Sequence, residues 1–442
     1  MSNVVMVGEG NDSALAPHPL RATILGEVHA RPFNAVPAPA RILHFAFDTQ
    51  GDRSAADREQ LIAFCQTRGL VPPLPQDKHF RVTLGGTQMR WEQHSEFTTY
   101  TWEVPVEIKA GAFHPSASSL AMPMRLVRQP GPVLVAVDLN VVQQSENENG
   151  FVNLFDPTSL AVAESGDGTA LYATDFKVTP EGFIRILLID RGMSANRTGS
   201  MVQHLLDIET YRTLALLGLP EARRLAPSIG LAEKRLGEVT ERMRRAVNDL
   251  DDNNQMLNEL TALAADVEAG VAASLFRFGA SRAYEQIVTQ HLQTIGERKI
   301  PGFPTWTSFL ARRMAPALRT CVATEARQAN LSLRLTRADN LLRTRVDVEL
   351  EKQNQQLLKS MNERTRLQLR LQTTVEGLSV AAITYYMTGL FSYLAKAAHE
   401  SGMLKFDPGY ITAAFIPLAA LAIWLTVRRI RRRHVLERGS TD

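Results

Sequence analysis

Two uncharged apolar segments near the C-terminus, 377–394 and 410–427, constrain this chain more than any other feature. Each approaches the ~20 residues that a helix needs to cross ~30 Å of hydrocarbon, and a helix is the only open-ended structure that satisfies its own backbone in lipid. The pattern therefore predicts a two-helix membrane hairpin. Upstream stand Arg364, Arg366 and Arg370, and downstream the basic run Arg428, Arg429, Arg431, Arg432 and Arg433. The loop between them, 396–409, carries two Lys, one Glu and one Asp. Arginine on both outer flanks places both termini in the cytoplasm. The basic tail is then expected to meet a bilayer with anionic headgroups.

That tail also accounts for the charge balance. The formal net charge is +3, and residues 428–442 hold six Arg against Glu437 and Asp442, or +4, which leaves the rest at −1. No nucleic-acid partner is expected from such a body. Cys65 and Cys321 are the only cysteines and have neither metal spacing nor a disulfide framework. The first residues, MSNVVMVGEGNDSALAP, lack the basic and apolar regions of a signal peptide.

Residues 1–195 read as a cytosolic α+β domain. Alternation and β-branched or aromatic residues predict strands at 41–48, 80–84, 88–93, 96–104, 133–142, 170–177 and 183–190, with a helix at 55–67. Gly85-Gly86 and Ser95 mark the turns of an antiparallel meander. Beyond 195 the period changes from two to about 3.6. Helices are expected at 201–217, 231–263, 273–295 and 307–318, and a last one runs from Thr320 into the membrane. Leu331, Leu335, Ala338, Leu342, Val346, Leu350, Leu357 and Met361 form its apolar stripe, whose period favours a packed bundle or stalk at 196–372 over a strict coiled coil. The hairpin follows at 373–428 and the basic cytoplasmic tail at 429–442. The expected fold is thus an α+β N-terminal domain, a long-helix bundle or stalk, and a C-terminal two-helix transmembrane hairpin.

Three groups of residues could carry function. Glu27, His29 and Arg31 alternate, and so do Arg90, Glu92, His94 and Glu96, so each set shares a face if extended. Two His and a carboxylate would suffice for a divalent metal if the strips met; otherwise they are the polar face of a sheet. Arg191 and Arg197 flank a loop entering a helix N-terminus, which suits either an anion or a capped helix start with Thr198 or Ser200 as N-cap. In the first span Gly377, Ala381, Thr384, Thr388 and Ser392 line one face. Small side chains there fit close packing against the second span or a sister chain, making a homo-oligomer, or else a pore lining. No catalytic motif stands out, and nothing in the sequence names a cofactor.

Three stretches carry a resemblance: HPLRATILGEVHARPF at 18–33, WEQHSEFTTYTW at 91–102, and LRTRVDVELEKQNQQLLKSMNERTRLQLRLQTTVEGLSVAAITYY at 342–386. They resemble the bacterial family catalogued as domain of unknown function 3422, described as membrane-anchored. The resemblance implies an anchor in the bacterial inner membrane and no particular activity. The architecture is also similar to that of CorA-type magnesium channels, but their loop motif Gly-Met-Asn is only partly present here, where Gly402-Met403 is followed by Leu404. The readings carried forward are a membrane-anchored binding, scaffold or regulatory module, an oligomeric channel, and a metal-dependent enzyme built on Glu27, His29, His94 and Glu96.

Overall fold

A computed structural model of the chain describes residues 18–21, 24, 34–75, 77–106, 111–115, 123–144, 148–245, 250–401 and 406–438, with backbone alone at 148–149 and 430–438. The N-terminal part is a mixed sheet. Its strands are β1 (Ala40–Asp48), β2 (His79–Leu84), β3 (Thr87–Gln93), β4 (Phe97–Val104), β5 (Val133–Gln143), β6 (Ala161–Glu164), β7 (Ala170–Thr174), β8 (Ile184–Asp190) and β9 (Arg298–Lys299). They lie in the order β2-β3-β4-β1-β5-β8-β7-β6-β9, antiparallel except for the parallel pair β5 and β8. The meander β2-β3-β4 follows the expectation. Its first turn is a two-residue hairpin at Gly85 and Gly86, both at positive φ (54° and 84°), a conformation that a Cβ would strain. β6 and β9 escape a periodicity search because they have four and two residues, too short to show alternation.

The two faces of the sheet are buried differently. Leu43, Phe45 and Phe47 of β1 join Met89, Trp91, Tyr100 and Trp102 on one face, under Leu61, Phe64 and Cys65 of helix α1 (Arg53–Thr67). Asp57 of α1 is buried there too, accepting hydrogen bonds from Trp91 Nε1 at 2.8 Å and Tyr100 Oη at 2.7 Å. On the opposite face Ile42, Ala46, Val137, Leu139, Ile186 and Leu188 pack against Leu205, Leu206, Ile208 and Leu214 of helix α2 (Ala195–Leu216). The N-cap of α2 is Ser194, whose side chain accepts from the Arg197 N–H. The helix therefore starts six residues before the expected Met201, and neither Thr198 nor Ser200 caps it: both lie within it.

Long helices follow: α3 (Gly218–Arg245), α4 (Leu250–Ile295), α5 (Trp306–Arg313), α6 (Ala315–Glu400) and α7 (Pro408–Arg438). Two expectations are corrected. Gly218 and Pro220 do not separate helices by a loop, because α3 begins at Gly218 directly after the α2 cap at Leu217, and proline is tolerated in a first turn, where no intrahelical donor is needed. The single helix expected at 231–263 is two, α3 and α4, with 246–249 between them outside the described residues.

The chain divides into two compact units, 1–242 with 259–338, and 243–258 with 339–442. In the first, α3, α4 and α6 are tied by Arg327 to Glu233 at 2.7 Å, Arg282 to Glu325, and Ser274 to Gln328 at 3.3 Å. In the second, Arg345 donates to the Met243 carbonyl at 2.7 Å. The stripe of α6 is buried at Leu331, Leu335, Ala338, Leu342 and Val346, but Leu350, Leu357 and Met361 are exposed. The expected seam thus continues past the point where it has a partner.

Among the described residues two helices are long and apolar enough to cross a membrane, α6 through its C-terminal part and α7, and almost none of either apolar window is buried. They pack on each other along one line. The Phe391 and Phe415 rings stack with centroids 3.9 Å apart, and Ala395 and Ala419 are buried. Thr384, Thr388 and Ser392 are half-buried, whereas Gly377 and Ala381 are exposed. Each Thr hydroxyl donates to the carbonyl four residues back, at 2.6 and 2.7 Å.

Asp57 yields a test of the aromatic face. Burial raises its carboxyl above the ordinary 3.8, against the pull of the Trp91 and Tyr100 hydrogen bonds. The folded chain then holds this proton more tightly than the unfolded chain, so the group costs stability as pH rises through its folded value. Asp57→Asn removes that cost and keeps an acceptor, and is expected to stay within ~1 kcal/mol of the parent at neutral pH. Asp57→Ala orphans both donors, at about 1–3 kcal/mol each. Thermal unfolding of the two variants checks this, and equal losses in both contradict it.

Candidate functional site

Register places a polar patch on the α2 face of β2, β3, β4 and β1. Arg81 pairs with Arg90, Arg90 with Thr101, and Thr101 with His44, forming one row across four strands. The flanking rows are His79–Glu92–Thr99 and Thr83–Gln88–Glu103. Side chains alternate along a strand, so these residues share the face opposite Met89, Trp91, Tyr100 and Trp102.

Helix α2 answers part of this patch. His44 is held through Nδ1 to the Thr101 hydroxyl at 2.8 Å and through Nε2 to the Thr210 hydroxyl at 3.0 Å. Burial, then the charge of Arg90, pushes it down to about 3, so it stays neutral. Arg90 donates to Gln203 Oε1 and lies 3.4 Å from the Glu92 carboxylate, which also accepts from Thr99 at 3.4 Å. Arg81 donates to Asn34 Oδ1, and its guanidinium is pushed down by burial and then by Arg90, with Glu92 opposing. Glu103 is half-buried and burial raises its carboxyl.

Between this patch and α2 lies a cavity of about 220 Å³. Arg81, Gln88, Arg90, Glu103 and Gln203 line its polar side, and Val36, Ile42, Val202 and Leu206 its apolar side. One wall depends on Gly199: a Cβ there would stand 1.6 Å from the Asn34 carbonyl oxygen, so only glycine lets the segment after Asn34 lie on the helix, where Val36 N–H donates to the Ala195 carbonyl at 2.9 Å.

A line of polar contacts leaves the cavity along α2. Gln203 Nε2 donates to Asp207 Oδ1 at 2.8 Å, Asp207 Oδ2 lies 3.6 Å from His291 Nε2 on α4, and His291 Nδ1 meets His204 Nδ1 at 2.7 Å. One ring must donate and the other accept, so the pair shares a single proton between its Nδ1 atoms. Burial lowers both, and the neighbouring His204 brings His291 to about 4.

Comparison with known proteins adds one fact. The family model described as "Protein of unknown function (DUF3422)" matches residues 16–434. The chain belongs to this family. No curated protein and no solved structure matches it.

In this DUF3422 member the sequence-predicted residues separate. Glu27, His29 and Arg31 lie outside the described residues. Arg90 reaches the cavity, with Glu92 beside it. His94 and Glu96 do not share their face, because β3 ends at Gln93 and both belong to the turn into β4. His94 stacks on Phe97 with ring centroids 4.0 Å apart, while Glu96 accepts from Gln50 at 3.0 Å and from Arg277 and Tyr284. Among the described residues no set of three or more His, Cys, Asp or Glu side chains has the geometry to hold a metal ion. Arg191 pairs with Glu164 at 2.7 Å and Arg197 with Asp167, so the loop before α2 is a capped helix start braced by two ion pairs.

Sequence reasoning missed Arg81, Gln203, Asp207 and the two histidines. Arg81 had a signal: a two-residue turn at Gly85-Gly86 fixes the register, and counting back from it sets Arg81 opposite Arg90. His204 and His291 had none, since 87 residues separate them.

The histidine pair predicts an acid limb in stability. Both are depressed in the folded chain, so their contribution is present above the ordinary 6.5 and is lost as pH falls toward about 4. His291→Gln removes one of the two titrations and is expected to flatten part of the stability loss between pH 6.5 and 4, with the share from His44 remaining. An acid limb identical to the parent's contradicts the assignment.

Proposed function

We propose that this DUF3422 protein is a membrane-anchored ligand-binding module of a scaffold or regulatory kind. The sheet domain is held on the cytoplasmic side of the bacterial inner membrane, with both termini in the cytoplasm. The observation that carries the reading is the hairpin of α6 and α7: its helices meet along one line, and its remaining apolar surface, Leu378, Leu390, Tyr393, Leu394, Leu418 and Leu421 included, is exposed. Such a surface is costly in water and at home in hydrocarbon. The Arg428 guanidinium lies over the Trp424 ring, 4.9 Å from its centroid, a pairing suited to the headgroup level at the cytoplasmic end of α7. Arg431, Arg432 and Arg433 extend the basic flank in sequence. The cavity under α2 is what the module presents.

Thr384 and Thr388 are half-buried and their hydroxyls are bonded to carbonyls of their own helix, which favours packing over a pore lining. A homo-oligomer fits the bare part of α6 better than it fits that stripe. Leu350, Leu357 and Leu371 are exposed at multiples of seven residues, the spacing at which one helix recruits a copy of itself.

Two experiments test this reading. Reporter fusions at Gly402 and Asp442 are expected to report opposite compartments, and a shared compartment contradicts the hairpin. In detergent, the protein is expected to run as a multiple of its 49.0 kDa chain, and Leu357→Asn with Leu371→Asn to reduce it toward the single chain. A parent that is already monomeric, or a variant of unchanged mass, removes the oligomer.

A further inference from the structure

We propose that the bare lower part of α6 is a pairing seam, along which two copies of the chain lie parallel and in register from Leu350 to Gly389, across the point where the helix enters the membrane. The inference deepens the reading of the protein as a homo-oligomer through this part of α6 and rests on it.

The spacing of the apolar residues changes where the stripe of α6 leaves its own bundle. Leu331, Leu335, Ala338, Leu342 and Val346 are buried, and the steps between them are mostly of four residues. From Leu350 on, steps of four and three alternate strictly along a seam of two positions. One position holds Asn354, Met361, Gln368, Val375, Ala382 and Gly389. The other holds Leu350, Leu357, Arg364, Leu371, Leu378 and Tyr385. Every one of these residues is exposed. A repeat of 3.5 lets two helices wind about each other with one stripe always inward, whereas the natural period of a straight helix would carry it round by about 20° per heptad. The opposite side holds Lys352, Lys359, Arg366 and Thr373 at seven-residue spacing and is suited to water.

A second copy is the occupant that this seam fits. The hairpin fixes the direction, because identical chains enter the bilayer through α6 from the same side and their helices therefore run parallel. In that arrangement the seam is complementary to itself, as a two-fold interface must be. Asn354 meets its own counterpart, each amide donating to the other's oxygen, while a slip of one heptad would set it against Met361 and leave it unanswered. Arg364 and Gln368 are one turn apart, so each guanidinium reaches the other copy's amide oxygen and carries its charge to the rim. Within the span Ala382 and Gly389 flank Tyr385 by one turn on either side. Small side chains let the two backbones approach, and the Tyr385 ring, 77% exposed, fills the room beside them. Tyrosine is enriched at the headgroup level, so at mid-span a facing helix suits it better than lipid does. The α7 contact, through Phe391 and Ala395, lies on a different face of the helix. A foreign helix would need a polar or aromatic residue at each of these heights, and a copy brings them all.

The experiment uses the full chain in membranes, with single cysteines placed at two seam positions, Asn354→Cys and Val375→Cys, and on the polar side, Lys359→Cys and Thr373→Cys. Cys65 and Cys321 are buried and stay in place. On mild oxidation, disulfide-linked dimer is expected from both seam variants at a rate about tenfold or more above the other two, since thiols held opposite each other react at high effective concentration. The two seam positions are roughly 30 Å apart along the helix. Both meet their counterparts only in a parallel, in-register pair, because antiparallel helices match at most one position with itself. In detergent the parent is expected at twice its 49.0 kDa chain, and Asn354→Leu, which frees the register, is expected to add larger assemblies. Cross-linking at one seam position or none, or equal rates in all four variants, overturns the seam, and a parent of several chains then leaves the homo-oligomer standing through another surface. A larger multiple with the seam cross-links intact overturns the pair in favour of a wider bundle. A monomeric parent without cross-links overturns both readings, and an Asn354→Leu protein that runs as the parent does overturns the part given to Asn354.

Discussion

Helix α2 has to cover a sheet face that is apolar along half of its length and polar along the other half, and much of the first compact unit follows from how it does so. Over β1, β5 and β8 it sets Leu205, Ile208 and Leu214 against aliphatic strands. Over β3, β4 and the polar part of β1 it meets Arg90, Thr101 and His44, where an unanswered polar group would cost about 1–3 kcal/mol. Thr210 and Gln203 give the answers, and both depend on the helix being in one register on the sheet. Gly199 lets the segment after Asn34 close beside it. What the helix leaves unfilled, over Arg81 and Arg90, is the cavity. The opposite face is closed by α1 over Phe45, Phe47, Trp91, Tyr100 and Trp102, and its own buried polar pair, Arg41 and Asp138, is answered within the sheet at 2.7 Å.

The sequence carried the strands of the first unit well because β1, β3 and β4 are runs of seven to nine residues rich in β-branched and aromatic side chains, a signal that survives even where, as in β1, both faces are buried. It carried the last helix equally well, since nothing from Ala315 to Glu400 breaks it. What it lost was local or long-range. The start of α2 was misplaced because Ser194, Thr198 and Ser200 are all chemically able to cap, and only the backbone decides among them. Glu92 and Glu96 looked alike in an alternating strip, but the strand stops between them, and Glu96 serves Arg277 and Tyr284 of a helix, 181 and 188 residues away in sequence. The site itself was half legible. Arg90 was in view and Arg81 could be counted from the hairpin, yet Gln203, Asp207 and His291 join them only through packing between α2 and α4.

Helix α6 passes through three environments along one uninterrupted rod. Its first part buries a leucine stripe, its middle exposes the continuation of that stripe among charges, and its apolar end is exposed except where α7 touches it. A helix needs no change of backbone to make those transitions, because its hydrogen bonds are internal in water and in lipid alike. Only the side chains change solvent. This is why a short basic tail and two apolar segments, which say nothing about chemistry, constrain the architecture so firmly, whereas the chemistry sits in a sheet whose pairings had to be built first.

The claim on which the account turns is that the polar half of the α2 face is a binding site and not a structural feature. Native mass spectrometry of the chain released gently from its own membranes tests it most directly. The account predicts a population carrying the added mass of one small molecule, which is absent when Arg81 and Arg90 are both replaced by Gln. Identical mass distributions for the two proteins, with or without an adduct, would contradict it.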